Sequence, residues 1–314
     1  MRLKRNICMK VCFVGLGSIG KRHICNFSAV CEAQGVALEV HALRKTATPL
    51  PDYIQNRIHK VLLSYVDLDS AYDAIFILNP TYLHYDTLKA LQSYSNCFFI
   101  EKPVFDKASY DLSVFDNKNR YYVACPLRYT KELLCAEQVI KDEQVFSARA
   151  ISSSYLPNWR PGVDYRTTYS AHASEGGGVR IDLIHEWDYL VHLFGKPEQV
   201  VSYSGLYSDL EIDSEDIAVY IARYKKMLVE LHLDYFGRKT RRSLECRTAN
   251  HEYVFDIAEH KVLCDGNVLQ SDTEDVNGMY MREMEHFLNV ILKKNKPKNT
   301  IQSAIDVMRI AGTY

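Results

Sequence analysis

The sequence predicts an α/β chain in two parts: a doubly wound parallel sheet over residues 1–124, then an α+β domain on a large, mainly antiparallel open sheet over 125–314. Three observations carry that expectation. Short, fully apolar runs alternate with helix-compatible segments up to residue 124, the pattern of strands covered on both faces. A glycine-rich hexapeptide follows the first of those runs. From 198 to 265 the apolar period drops to two, as half-buried antiparallel strands require.

Taken in order, Val11-Cys12-Phe13-Val14 is the first strand, and Ile19 to Ala33 carries helical spacing. Apolar runs at 37–43, 60–63, 74–78 and 97–100 are the next strands, with a helix expected from Tyr82 to Tyr94. Tyr121-Tyr122-Val123-Ala124 closes the set. Beyond it come a helix (Tyr129 to Lys141), a strand (Val145 to Tyr155) and an irregular, aromatic and arginine-rich stretch from Pro157 to Ser174. A continuous helix is expected over 180–194. In the period-two region Ile217, Val219 and Ile221 alternate, as do Met227, Val229, Leu231, Leu233 and Tyr235. Helices over 277–294 and 301–312 end the chain.

Composition narrows the function classes. With 38 basic and 39 acidic residues the net charge is −1, which excludes a general polyanion binder and leaves no expectation of nucleic-acid or membrane partners. No stretch approaches the apolar length of a membrane span, and the short apolar run after MRLKRNICMK lacks a cleavage site. Nine cysteines, an odd number without a CxxC pair, read as thiols of a reducing cytoplasm.

Gly15-Leu16-Gly17-Ser18-Ile19-Gly20 fits G-x-G-x-x-G between a strand and a helix. The first glycine permits a tight turn, the second admits a pyrophosphate, and the third lets the helix approach the strand. Backbone N–H groups at Ser18 and Ile19 would then face the phosphates. The motif in this context predicts a Rossmann dinucleotide site. At the end of the second strand, where an acidic residue would read the ribose 2′-hydroxyl, the chain has Arg44-Lys45. That pair favours NADP, with NAD possible; a solvated basic turn is the bland alternative. Glu101-Lys102-Pro103 follows the strand CFFI at the ligand-binding edge of the expected sheet. A lysine beside an oxidised nicotinamide has a cationic, partly desolvated setting, which favours the neutral amine and makes it a usable base. The proline is a candidate cis bond.

The third constellation is Gly176-Gly177-Gly178 followed by Asp182, His185 and Asp188. On a continuous helix Ile184, Trp187, Val191 and Phe194 form an apolar stripe. Asp182, His185, Tyr189 and His192 then form another face, with the carboxylate one turn before the imidazole it would orient. HxxxD has no recognisable third ligand, so no metal is expected.

Together GLGSIGKRH (15–23), NPTYLH (79–84), EKP (101–103) and GGGVRIDLIHEWDYLVHLFG (176–195) resemble the Gfo/Idh/MocA oxidoreductases, over nearly the whole chain. The resemblance implies pyridine-nucleotide sugar chemistry and an open C-terminal sheet used for homo-oligomerisation, as a dimer or tetramer. It assigns Lys102 as the lysine beside the nicotinamide, and Asp182 and His185 as the family carboxylate and histidine. Asn79, Pro80 and His84 become the loop flanking the nicotinamide ribose, with Glu101 joining the cofactor set. Asp182 and His185 stand three apart, where many members space them four apart. Cys125-Pro126-Leu127-Arg128-Tyr129 matches the arginine-bearing start of the family's second domain and places Arg128 with the substrate. MKVCFVGLG resembles a family opening, which sets Met9 beside the usual start.

The stretch 152–171 is the expected substrate-reading loop, with Tyr155, Trp159, Arg160, Tyr165, Arg166 and Tyr169 in an irregular setting. Aromatics stack on sugar or base faces, and arginines fork onto carboxylates or phosphates. The expected activity is hydride transfer between nicotinamide and a secondary alcohol or ketone of a sugar or nucleotide-sugar. Lys102, His185 and Asp182 would be catalytic. A cofactor-retaining sugar hydrolase or epimerase, and a non-catalytic cofactor-binding sensor, are the alternatives.

Overall fold

The computed structural model describes residues 8–69 and 71–313. Contacts divide the chain into two compact units: the residues up to Pro126 with Asn277–Ile305, and Leu127–Val276 with the residues from Asp306 onward.

The first unit contains β1 (Cys8–Val14), α1 (Ser18–Ala33), β2 (Ala37–Leu43), α2 (Asp52–Gln55), β3 (Lys60–Leu62), β4 (Ala74–Ile77), α3 (His84–Leu91), β5 (Cys97–Ile100) and β6 (Arg120–Val123). Its sheet has the order β3-β2-β1-β4-β5-β6, and every pairing is parallel. The apolar runs are buried because they are its central strands: every residue of β4 and β5 is buried. Register aligns the carboxyl ends. Val14 pairs with Leu43 and Ile77, Ile77 with Ile100, and Ile100 with Val123. The residues that follow these strands therefore leave along one edge, and the strand order reverses between β1 and β4, where open α/β sheets bind ligands.

Two elements of this unit differ from expectation. The helix expected from Tyr82 to Tyr94 is a 3₁₀ turn (Thr81–Leu83) followed by α3, which ends at Leu91. The crossover from β5 to β6 has no α-helix; Tyr85 stacks on Tyr110 at 4.1 Å and, with Phe105 and Phe115, fills that space with aromatic rings.

The second unit contains α4 (Lys131–Val139), β7 (Val145–Tyr155), α5 (Val179–Asp182), α6 (His185–Phe194), β8 (Gln199–Gly205), β9 (Ile217–Tyr224), β10 (Met227–Asp234), β11 (Phe236–Thr248), β12 (Glu252–Asp256), β13 (Lys261–Cys264) and β14 (Asn267–Ser271). Its sheet runs β14-β13-β12-β11-β7-β10-β9-β8, antiparallel except where β10 meets β7. The period-two residues Val229, Leu231 and Leu233 lie on the buried face beside Tyr220, whose ring meets Trp187 edge-on at 5.3 Å. The other face is open and exposes Val201, Tyr203, Ile221 and Leu228.

The chain ends with α7 (Asn277–Ile291) and α8 (Ile301–Ala311), and here the expected domain limits change. The boundary expected after 124 falls after Pro126, and 277–305, expected in the second domain, joins the first. The reason is packing. Asn277 and Asn26 of α1 exchange side-chain hydrogen bonds at 2.9 and 3.1 Å, and Phe287 meets Phe76 and Phe99 with ring centroids 5.2 Å apart. No helix among the described residues is long and apolar enough to cross a membrane.

Candidate functional site

The three glycines have three different environments. Gly15 sits at φ 90°, and a Cβ there would lie 2.9 Å from the Asn79 backbone nitrogen, so the turn needs glycine on both counts. A Cβ on Gly20 would meet the Gly15 carbonyl oxygen at 2.5 Å, which fixes the close approach of α1 to the turn. At Gly17 a Cβ would meet nothing within 4 Å. That open space lies at the N-terminus of a 16-residue helix with no acidic residue in its first turn, the surroundings a pyrophosphate requires. Ser18 and Ile19 open this helix, one exposed and the other half-buried. Gly15 N–H donates to Leu43 O at 3.1 Å, so half-buried Arg44 leaves β2 directly beside the glycine turn.

Asn79 and Pro80 follow β4. The Asn79 amide donates to Thr87 Oγ1 at 2.8 Å, and its Oδ1 is a buried acceptor without a partner among the described residues. An unsatisfied acceptor at a ligand-binding edge suits a ribose or carboxamide donor. His84 is placed differently from expectation. It is buried, with Nε2 2.8 Å from Asn79 O and Nδ1 3.1 Å from Val104 O; burial pulls its pKa below the ordinary histidine value. Both ring nitrogens face backbone carbonyls, one of which accepts the N–H of a neutral ring, so His84 holds the loop.

Glu101 is also turned inward. Its Oε1 lies 2.5 Å from His23 Nε2 of α1, and its Oε2 accepts the Lys102 N–H at 2.9 Å. Burial pushes this carboxyl upward, but the His23 bond and the neighbouring charges of His23 and Lys102 outweigh it, leaving the pKa below the ordinary value. Glu101 is thereby a positioning group rather than a cofactor contact. Lys102 is half-buried, and its bond to Pro103 is cis.

In the second unit, the expected continuous helix breaks. Leu183 leaves helical geometry (φ −99°, ψ 26°), so Asp182 ends α5 and His185 begins α6. The two no longer share a helical face, and Tyr189, expected on that face, is fully buried. What holds Asp182 is a pair of phenols: Tyr169 donates to Oδ1 at 2.8 Å and Tyr235 to Oδ2 at 2.7 Å. Burial first, then the Asp182 charge, raises the pKa of both tyrosines. His185 is half-buried. The glycine triplet explains the tight fold here. A Cβ on Gly177 would strike the carbonyls of Tyr169, Ser170 and His172, and one on Gly178 (φ 126°) would strike the Glu215 carboxylate.

A family model described as an oxidoreductase family with an NAD-binding Rossmann fold, that of the Gfo/Idh/MocA proteins, matches residues 9–113. That match lies within the first unit. No curated protein matches the chain in sequence. Among solved structures, levoglucosan dehydrogenase in complex with NADH and levoglucosan is similar with a TM-score of 0.83 and 14% identity, covering 98% of this chain and 96% of that one. A myo-inositol 2-dehydrogenase from Lactobacillus plantarum reaches 0.75 and 19% identity, covering 97% and 95%. A UDP-N-acetylglucosamine 3-dehydrogenase from Acidithiobacillus ferrooxidans reaches 0.76 and 17%, covering 97% and 96%. At these identities the likeness establishes the fold.

In the second unit two expected substrate contacts have other partners. Arg128 is buried and forks onto Asp188, Nε to Oδ2 and Nη2 to Oδ1, both at 2.7 Å. That bidentate pair is structural. Exposed Arg166 is held by Asp164 at 2.9 Å and by Glu211 at 2.6 Å, so two carboxylates already answer its charge. The rest of the loop gathers around Asp182. Trp159 donates to Ser154 Oγ at 2.9 Å and meets Tyr235 edge-on at 5.2 Å, while exposed Arg160 lies 5.3 Å over the Tyr169 ring. Tyr155 is covered by the Arg238 guanidinium at 3.9 Å, and the Tyr165 hydroxyl accepts the Glu211 N–H at 3.2 Å. Sequence reasoning missed His23 and Tyr235, and it named Tyr169 only as a loop aromatic, with no link to Asp182. His23 stood inside the quoted motif GLGSIGKRH, but no local signal paired it with Glu101. The two tyrosines lie 66 residues apart, and only the fold joins them at one carboxylate.

Proposed function

We propose that the protein is an NADP-preferring dehydrogenase or reductase, able to use NAD, that acts on a secondary alcohol or ketone of a sugar or nucleotide-sugar in the cytoplasm. The observation that carries this reading is the alignment of strand ends that delivers Gly15–Gly20, Arg44, Asn79 and Lys102 to one edge of a parallel sheet. The family description and the dehydrogenases among the similar structures support it. Ser18 and Ile19 N–H groups would hold the pyrophosphate over Gly17, Arg44 the adenosine 2′-phosphate, and Asn79 and Pro80 the nicotinamide end. The bound nicotinamide supplies the hydride acceptor or donor. Lys102 Nζ takes the hydroxyl proton in oxidation and returns it in reduction. The family resemblance assigns Asp182 and His185 to the substrate, with Arg160, Trp159 and Tyr169 reading its further parts.

The open sheet face suits a second copy of the chain. Val201 pairs with Ile221 and Tyr203 with Val219 on a surface that leaves Val201, Tyr203 and Ile221 exposed, and a homo-oligomer formed there would cover them. The deciding experiment incubates the protein with NADP or NAD and a panel of sugars and nucleotide-sugars while following the reduced-nicotinamide absorbance. Growth of that band with at least one sugar is expected. Calorimetry showing that neither nucleotide binds would overturn the reading.

A further inference from the structure

Two hairpin turns meet at one end of the strands β11 to β14 in the second domain's sheet. Between β11 and β12, Thr248 Oγ1 accepts the N–H groups of Asn250 at 3.2 Å and His251 at 2.9 Å, which fixes the first turn. Between β13 and β14, Asp265 (φ 51°) and Gly266 (φ 78°) form a two-residue turn inside the Cys264–Asn267 pair. The turns are pinned to each other: Asp265 N–H donates to Glu252 O, and Glu252 N–H donates to Asp265 Oδ1, both at 2.9 Å. That leaves Asp265 Oδ2 2.8 Å from His251 Nδ1 and 3.9 Å from Cys264 Sγ, and the three atoms all lie within 4.8 Å of one another.

We propose that His251 Nδ1, Cys264 Sγ and Asp265 Oδ2 bind a zinc-class divalent cation, with water as the fourth ligand. A thiolate, an imidazole and a carboxylate suit zinc and its borderline neighbours, and do not suit magnesium or calcium. Ligand bonds of about 2.0–2.3 Å around a tetrahedral ion separate the donor atoms by roughly 3.3–3.7 Å, between the two distances the turns already hold. Thiolate and carboxylate together match the ion's double charge.

A second cluster of similar composition shows the contrast. At Glu39, His41 and Asp69 the cation's place is taken: Lys10 Nζ lies 3.3 Å from Glu39 and 2.6 Å from Asp69, with Lys60 a further 3.3 Å from Asp69. Among the described residues no lysine or arginine pairs with Asp265. Binding releases the Cys264 thiol proton and any proton on His251, so affinity rises with pH. The ion would lock the two turns beside edge strand β14. This proposal stands independently of the dehydrogenase reading.

The test uses full-length protein carrying Cys8→Ser, because Cys8 is exposed and would compete for metal. Titration with Co2+ is expected to give a sulfur-to-cobalt charge-transfer band in the near ultraviolet that Zn2+ displaces. Cys264→Ser should abolish the band. His251→Ala and Asp265→Asn should weaken Zn2+ binding at least about tenfold, since even loss of a partner outside the ligand shell costs that much. Absence of the band in the Cys8→Ser protein, its survival in Cys264→Ser, or Zn2+ affinities unchanged in His251→Ala and Asp265→Asn would each overturn the assignment.

Discussion

His23 Nε2 and Glu101 Oε1 lie 2.5 Å apart, and the same carboxylate accepts the Lys102 N–H through its other oxygen. The helix that starts at the glycine turn is thus fastened to the backbone of the lysine assigned to proton transfer. His23 is completely buried and lies edge-on to Phe99 at 4.9 Å.

Removing one partner of this pair strands a buried charge, which typically costs about 3–5 kcal/mol. His23→Ala should lower stability by that order in denaturant unfolding, and His23→Gln, which keeps a donor, should restore part of it. The pH dependence has a definite sign. Because the folded pKa of Glu101 is depressed, its stabilisation is complete above the ordinary glutamate value of 4.5 and is lost as pH falls through the lower folded value. Unfolding midpoints that decline equally below pH 4.5 in wild type and Glu101→Gln would remove Glu101 from that role.

Lys102→Ala and Gly17→Val should separate chemistry from binding. The lysine variant is expected to bind nucleotide normally while turnover falls at least about a hundredfold, the usual share of a general acid–base group. In Gly17→Val a side chain fills the space that is open within 4 Å of the glycine, and nucleotide binding should disappear from calorimetry. Near-normal turnover in Lys102→Ala would exclude the lysine from the mechanism.

The proposed preference for NADP rests on Arg44, the first residue after β2. A charge-assisted contact to a 2′-phosphate contributes about 1.5–3 kcal/mol, or roughly ten- to a hundredfold in affinity. Screening pushes the value toward the lower end, so added salt should narrow the gap between NADP and NAD. Arg44→Asp should erase or reverse it. Equal affinities for the two nucleotides in the unmodified protein would leave Arg44 as an adenine-stacking residue.

The loop arginines should behave unequally. Arg160 lies over the Tyr169 ring, and Tyr169 donates to Asp182, so Arg160→Ala should raise the Michaelis constant for an anionic substrate with nucleotide affinity intact. Arg166 is neutralised by Asp164 and Glu211, and Arg166→Ala should change that constant little. Steady-state kinetics showing the reverse order would mean that Arg166 leaves its carboxylates to meet substrate.

The sequence by itself determined the features that depend on short stretches of chain. Consecutive apolar residues at 74–78 and 97–100 can be satisfied only inside a sheet covered on both faces, and G-x-G-x-x-G after a strand leaves few backbone solutions. Gly15, Arg44 and Lys102 were legible as residues that follow strands, whereas Asn79 was singled out only by the family resemblance. Tertiary structure decided which polar side chains are spent on holding the protein together. His84 and Glu101 face inward, Arg128 answers Asp188, and Arg166 answers two acids, because the fold brings each a partner that burial or proximity makes hard to leave. Helical spacing placed Asp182 and His185 on one face, yet Tyr169 and Tyr235 hold the carboxylate at the end of α5 and the helix breaks after it. Periodicity records which face of a segment is apolar; it carries no information about which distant hydroxyl or carboxylate will meet a polar group once the sheet has formed.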